Sequence, residues 1–164
     1  MTTSARLHLF SVGLENHQMP TLLPAHYAEN NARQFAAACQ ALGVAATHCV
    51  TLVNEQATRT AIESSFRKFL KGVTPNDTLL FFFSGHGIDF DDRSFLIAHD
   101  TQPDDIQLTS IPLASILNQI DASKCERALL FIDACDKGLT VSDDTQTPRS
   151  GFSGAELRSF CEGA

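Results

Sequence analysis

The sequence lacks the features that would direct it to nucleic acid or to a membrane. It has 12 Lys and Arg residues against 19 Asp and Glu residues, a formal net charge of −7, and no cluster of basic residues. Because binding to a phosphate backbone depends on clustered positive charge, we expect no nucleic-acid partner. No apolar stretch approaches the roughly 18 residues that a membrane-spanning helix needs, so we expect no membrane partner.

Cysteine-pair and phosphate-loop motifs are missing as well. The five cysteines form an odd set with no C-x-x-C pair, and no charged-then-apolar leader precedes them. This pattern is typical of a reduced chain, and we expect a cytoplasmic location. Neither G-x-G-x-x-G nor G-x-x-x-x-G-K-[ST] follows the first predicted strand, which makes a nucleotide-binding domain the weakest of the functions considered.

The chain does contain alternating strand-like and helix-like segments over its 164 residues, the length of one domain. Apolar patterning predicts strands at 5–12, 44–53, 78–83, 94–98 and 127–133. It predicts three amphipathic helices, whose apolar positions are Phe35, Ala38, Cys39 and Leu42 in 28–42, then Ile62, Phe66, Phe69 and Leu70, then Leu113, Ile116, Leu117 and Ile120. We therefore expect an α/β fold, a three-layer sandwich with a mainly parallel central sheet. The apolar strands 78–83 and 127–133 are expected at its centre.

These two apolar strands are each followed by a reactive side chain. "FFFSGHG" sets His86 just past strand 78–83, in what reads as a turn, and "LLFIDAC" sets Cys135 just past strand 127–133. Functional groups gather beyond the carboxyl ends of parallel strands, so the imidazole and the sulfur are expected to face each other. An imidazole beside a thiol lowers the pKa of the thiol and supplies a proton to a leaving amine, which is nucleophilic catalysis.

The glycines around His86 fit the same chemistry. Without side chains, Gly85 and Gly87 would let a substrate backbone approach closely. The amide N–H groups of Gly87 and Cys135 could then hold the oxyanion that forms when a carbonyl is attacked.

The two motifs together resemble the caspase and metacaspase superfamily of cysteine peptidases. The histidine precedes the cysteine by 49 residues, a spacing that this family shares. Further matching segments are "NNARQF" at 30–35, "ATRTAI" at 57–62 and "SFLIAHD" at 94–100. The resemblance implies a caspase-like fold, protein or peptide substrates, and catalysis by His86 and Cys135.

The resemblance also bears on specificity. Asp133 matches the position whose carboxylate lines the pocket for the residue before the scissile bond in metacaspases, which cleave after Arg or Lys. Caspases that cleave after Asp carry an arginine between the first strand and first helix, and this chain has no Arg or Lys between Leu14 and Asn31. We therefore expect a basic preference. Asn31 departs from the family, which has an aspartate there, and Asp136 with Lys137 replaces the usual His-Ser.

Metal and cofactor use is expected to be absent, with calcium as an alternative. The resemblance suggests calcium because metacaspases are commonly activated by it, and the carboxylates that could offer oxygen ligands are Asp100, Asp104, Asp105, Asp143 and Asp144. The alternative interpretation is that these acidic loops are simply solvated.

The other cysteines, at 39, 49, 125 and 161, are interpreted as small core or surface residues. His8, His48 and His99 are interpreted as packing residues, and His17 and His26 as exposed loop residues.

The last part of the chain is more polar than the rest. We divide it into a caspase-like core at 1–138, the large-subunit equivalent, and a flexible intersubunit segment at 139–164 with a short helix. In the resembling family this region is cut during activation, which makes Lys137, Arg149 and Arg158 candidate self-cleavage points; an ordinary charged loop is the alternative. The fold needs further strands after Cys135, so we expect the partner to be the C-terminal remainder of the same polypeptide, the small-subunit equivalent.

Two functions therefore compete. The first is a cysteine endopeptidase that, by resemblance to bacterial caspase-like proteins, acts in regulated cell death or defence signalling. The second is a non-catalytic caspase-like scaffold or regulatory module. The intact His86 and Cys135 favour the first.

Overall fold

The computed structural model describes residues 5–135, and for Cys135 it describes the backbone alone. The strands are β1 (Leu7–Gly13), β2 (Cys49–Val53), β3 (Thr78–Phe90), β4 (Arg93–Leu96), β5 (Ile111–Pro112) and β6 (Arg127–Cys135). The helices are α1 (Ala28–Ala41), α2 (Arg59–Leu70), α3 (Ile106–Thr109) and α4 (Leu113–Ala122). Every strand and helix predicted within residues 5–135 therefore has a counterpart in the structure, with shifted ends.

The main sheet is parallel, as predicted. β1 pairs with β2 on one side and β3 on the other, and β3 pairs in turn with β6. Among the described strands β6 pairs with β3 alone, so the expected central place of β6 is not reached within this part of the chain. Its apolar residues suggest burial on both faces, yet Leu129 and Phe131 are 52% and 42% exposed.

Strand β3 is longer than its sequence predicts. It continues through Ser84, Gly85, His86 and Gly87 to Phe90, where left-handed residues Asp91 and Asp92 form the turn into β4. Its last residues pair antiparallel with β4, and β4 pairs antiparallel with the two-residue β5. His86 therefore lies inside a strand, not in a turn past its end.

Helices cover both faces of the parallel sheet, which confirms the layered α/β architecture. Helices α2 and α4 pack on one face, against Phe10, Phe81 and Phe83. Helix α1 packs on the other face, against Leu9 and Phe82.

The buried face of α1 differs from the predicted one. The helix buries its small residues Ala28, Ala32 and Ala36 together with Cys39, whereas Ala38 and Leu42 are exposed. Small side chains let the helix approach β1 closely. A Cβ atom added at Gly13 would lie 2.5 Å from the Ala28 carbonyl oxygen and 2.7 Å from the Ala32 Cβ.

A buried carboxylate ties the amino ends of β1 and β3 together. Asp77, 1% exposed, accepts hydrogen bonds from the Arg6 backbone N–H and guanidinium and from the Thr74 N–H and hydroxyl. The hydrogen bond from the Arg6 guanidinium, with those from Thr74 and the Arg6 amide, holds the pKa of Asp77 far below its usual range, although burial acts in the opposite direction.

Candidate active site

The candidate site begins with the imidazole of His86, which is fixed by its surroundings. His86 is 1% exposed and lies in a strand that is paired on both sides. Its Nε2 lies 2.8 Å from the carbonyl oxygen of Leu23. A carbonyl oxygen can only accept, so Nε2 carries the hydrogen, and Nδ1 is the nitrogen that can take up a further proton.

Cys135 occupies the position beside His86 in the neighbouring strand. The parallel register pairs Ser84 with Asp133, Gly85 with Ala134 and His86 with Cys135. Because paired strands lie about 4.8 Å apart, the two backbones are within reach of one shared site. The strand pairing thus brings together the histidine and the cysteine that the sequence singles out.

The backbone of β3 also fixes the direction of the Gly87 amide. The His86 carbonyl accepts a hydrogen bond from the Ile97 N–H at 3.0 Å, on the edge of β3 that faces β4. Backbone groups of consecutive strand residues point to opposite edges, so the Gly87 N–H points to the β6 edge, where Cys135 lies. The missing side chain of Gly85 also serves internal packing, because a Cβ there would meet Phe83 and Leu14 at 3.1 and 3.2 Å.

Asp133 is the carboxylate of a small polar cluster next to His86. Its Oδ2 accepts a hydrogen bond from the Ser84 hydroxyl at 2.9 Å and one from the Asn31 amide at 3.4 Å. The Asn31 amide also lies 3.5 Å from the Ser84 oxygen. Asn31, near the start of α1, and Asp133, near the end of β6, are therefore in contact. The sequence alone could only suggest that they are neighbours.

A cavity of about 450 Å³ opens above this cluster. Its walls come from the strand ends and from the loop between β1 and α1; the lining residues are Leu23, Pro24, Ala25, His26, Ala28, Ser84, Gly85, His86 and Asp133. His86 and the Asp133 carboxylate thus face the same space.

His17 is a site residue that the sequence interpretation missed. It was expected in an exposed loop, but its ring lies 5.4 Å from the ring of His86, and its Nδ1 donates to the Ala98 carbonyl at 3.3 Å. Its Nε2 is buried and has no hydrogen-bond partner among the described residues. Burial lowers the pKa of His17 to about 4, and the nearby His86 and His99 act in the same direction. His26 is exposed, as expected.

The loop between β1 and α1 is held in place by Asn54, the residue that follows β2. Asn54, buried and with φ of 45°, accepts hydrogen bonds from the Glu15 and Asn16 N–H groups, both at 3.0 Å. Its amide donates to the Glu29 carboxylate at 2.5 Å. The apolar side of the loop, Met19 and Leu22, packs against the β3–β4 hairpin. These contacts position the Leu23 carbonyl.

The other predicted candidates lie elsewhere. Asp100 accepts from the Arg59 N–H at the start of α2, Asp104 and Asp105 are exposed, and the described residues contain no group of three His, Cys, Asp or Glu side chains arranged to hold a metal. Cys39 is buried and Cys49 and Cys125 are half-buried. His8 and His99 are buried, and His8 stacks on half-buried His48, as expected of packing residues. Between residues 5 and 135, no helix has the length and apolarity to cross a membrane.

Several predicted positions fall outside the described residues. They are the candidate self-cleavage residues Lys137, Arg149 and Arg158, the carboxylates Asp143 and Asp144, Cys161, and the segment 139–164 with its short helix.

Comparisons with known proteins agree with this architecture. The protein GSU0716 from Geobacter sulfurreducens is 20% identical, with a TM-score of 0.62 over 81% of this chain and 51% of that protein. The structure of pro-sf-caspase-1 is 16% identical, with a TM-score of 0.59 over 93% of this chain and 55% of that one. The chain thus spans about half the length of each. No curated protein matches the sequence.

At these identities the structural likeness shows the fold alone. Membership is shown by the sequence, because the profile of the caspase domain, Peptidase C14, matches residues 14–157. The chain therefore belongs to the caspase-domain family of cysteine peptidases.

Proposed function

We propose that the protein is a caspase-like cysteine endopeptidase in which Cys135 is the nucleophile and His86 is the general base and then the acid. The observation that carries this proposal is the side-by-side position of the two residues in β3 and β6, with His86 oriented by the Leu23 carbonyl. The Leu23 contact keeps a hydrogen on Nε2, so the proton that catalysis moves travels through Nδ1.

The reaction then proceeds in two steps. Nδ1 of His86 takes the thiol proton, the sulfur attacks the substrate carbonyl, and a C–S bond forms. The N–H groups of Gly87 and Cys135 stabilise the oxyanion, and Nδ1 returns the proton to the leaving amine as the C–N bond breaks. Water, deprotonated by Nδ1, hydrolyses the thioester and restores the thiol.

We further propose that the pocket accepts Arg or Lys. Asp133 places a carboxylate in the cavity beside His86, and the described lining residues include no Arg or Lys that would favour an acidic side chain. The Ser84 hydroxyl and the Asn31 amide orient one carboxylate oxygen and leave the other for a guanidinium or ammonium group. With Asn31 in place of an aspartate, the pocket carries one negative charge from this pair of positions instead of two.

The experiment measures kcat/KM of the full-length protein on short fluorogenic peptides that end in Arg, Lys or Asp. Cys135→Ala should abolish turnover, and Asp133→Asn should lower kcat/KM on the Arg peptide by roughly 10- to 100-fold, the value of a charge-assisted contact. Asp121→Asn, an exposed carboxylate on α4, is the matched control and should leave activity unchanged. Asn31→Asp should strengthen the preference for basic peptides.

Two results would overturn the proposal. Turnover of the Asp peptide alone would refute the basic preference. Equal signals from wild type and Cys135→Ala would refute catalysis and leave a caspase-like scaffold that binds partners.

The same chemistry bears on processing and on the partner. Lys137, Arg149 and Arg158 are the basic residues that the proposed pocket would select for self-cleavage. The β6 edge pairs with no other described strand and exposes Leu129 and Phe131, as expected of a surface that the C-terminal remainder of the polypeptide covers. Mass spectrometry should find fragments ending at these basic residues in wild type and none in Cys135→Ala.

A further inference from the structure

A second cavity lies at the opposite end of the sheet from the candidate active site. It has a volume of about 500 Å³ and is formed by the start of β1, the approach to β2 and the last turns of α2. We call it the basal cavity; the lining residues used below are Arg6, His8, Thr47, His48, Ser65 and Lys68. His8 pairs with Leu79, seven residues before His86 on β3, so the two cavities are about 23 Å apart along the strand.

The polar groups of the basal cavity are suited to an anion. Arg6 and Lys68 are permanent cations, and no acidic side chain is among the described lining residues. Arg6 is paired with Asp77 at 2.9 Å, whereas the side chain of Lys68 is exposed and forms no ion pair with a described residue. The hydroxyls of Thr47 and Ser65 add two donors. Because Asp77 offsets the charge of Arg6, the net positive charge of the cavity comes from Lys68.

The floor of the basal cavity is suited to a flat ring. The rings of His8 and His48 are stacked with centroids 4.3 Å apart and an angle of 23° between their planes. The ring of Phe69, which also lines the cavity, meets His8 edge-on at 5.9 Å. His8 is 2% exposed, and its Nε2 lies 3.3 Å from the Asp77 carboxylate.

We propose that the basal cavity is a binding site for a small phosphate ester that carries a flat ring, such as a nucleoside monophosphate. Lys68, Arg6 and the two hydroxyls bind the phosphate, and the ring packs on His48 and Phe69. The volume of about 500 Å³ is in the range of small-molecule sites. This site is independent of the proposed peptidase chemistry.

Adenosine 5′-monophosphate is the probe, tested on the full chain by calorimetric titration and by thermal unfolding. We expect binding that raises the unfolding temperature, because the ligand binds the folded state alone. Inorganic phosphate and adenosine, each carrying half of the recognised chemistry, should bind at least about tenfold more weakly. Lys68→Gln should weaken binding of the monophosphate by about tenfold, the loss of one charge-assisted contact.

Lys71→Gln is the matched control. Lys71 is an exposed lysine three residues further along the same chain segment and is not among the residues that line the cavity, so this variant should bind like wild type. Equal weakening by Lys68→Gln and Lys71→Gln would show diffuse charge attraction and overturn the proposal. So would the absence of any binding up to about 10 mM of the monophosphate in wild type, an affinity weaker than about −3 kcal/mol.

Discussion

Replacing His17 with asparagine should remove much of the acid sensitivity of the fold. The shorter amide side chain can still donate a hydrogen bond toward the Ala98 carbonyl, the contact that Nδ1 makes in wild type, but it cannot be protonated. In wild type the burial of His17 lowers its pKa to about 4, whereas an unfolded histidine titrates near 6.5. Between about pH 6.5 and pH 4, His17 is therefore protonated more readily in the unfolded state than in the folded state.

The sign and size of the pH effect on stability follow from the difference between these two pKa values. Above about pH 6.5 both states are neutral at His17, and the residue adds no pH dependence. As the pH falls from about 6.5 toward 4, protonation favours the unfolded state, and the free energy of unfolding declines. With the two pKa values given, the contribution is about 2 kcal/mol at pH 5 and levels off below pH 4.

Urea unfolding of the full chain at pH 7.5 and pH 5 measures this effect. Wild type should lose about 2 kcal/mol more than His17→Asn between the two pH values. His26→Asn, at an exposed position in the same loop, is the control and should follow wild type. If wild type and His17→Asn lose the same free energy, the burial of His17 beside His86 does not have the electrostatic consequence described.

Three further predictions concern stability. Gly13→Ala should destabilise the fold by about 1–3 kcal/mol because its Cβ would clash with α1, whereas Gly72→Ala, with its nearest atom at 3.5 Å, should change the urea midpoint little. Asp77→Asn should lower the urea midpoint at pH 7; its deficit should shrink as the pH falls below about 4, because the lowered pKa of Asp77 stabilises wild type only above that range. Asn54→Ala should lower the free energy of unfolding by about 1–3 kcal/mol, because it leaves the Glu15 and Asn16 amides unpaired. It should also lower kcat if the loop orients His86. Asn54→Gly tolerates the left-handed backbone, so this variant separates the loss of the hydrogen bonds from backbone strain.

The parts of the fold that the sequence predicts are those with strong local patterns. Apolar periodicity predicts α2 and α4 with the residues that they bury, and the run at Leu79 to Phe83 predicts the start of β3. The end of β3 could not be predicted, because Ser84, Gly85 and Gly87 are weak strand formers in isolation. Their strand conformation depends on pairing with β4 and β6, which are distant in the sequence.

In the candidate site, too, the residues with a clear sequence signal could be predicted and those without one could not. His86 and Cys135 could be singled out because a histidine and a cysteine that follow two apolar runs indicate nucleophilic catalysis, and Asp133 because of the resemblance to metacaspases. The Leu23 carbonyl carries no side-chain signal, so only the folded loop reveals its contact with His86. His17 lies among polar residues, and its burial arises from the packing of Met19 and Leu22 on the hairpin. The small-residue face of α1 could have been predicted from Gly13, because a glycine in β1 permits a helix to approach the strand closely.

The position of His86 within a strand constrains any inactive form of the enzyme proposed above. Hydrogen-bond ladders on either side clamp the base, and withdrawing it would require the main sheet to come apart. An off state must therefore leave the imidazole where it is. Inactivity of the proposed enzyme would therefore have to come from the position of Cys135 or from the loop that supplies the Leu23 oxygen.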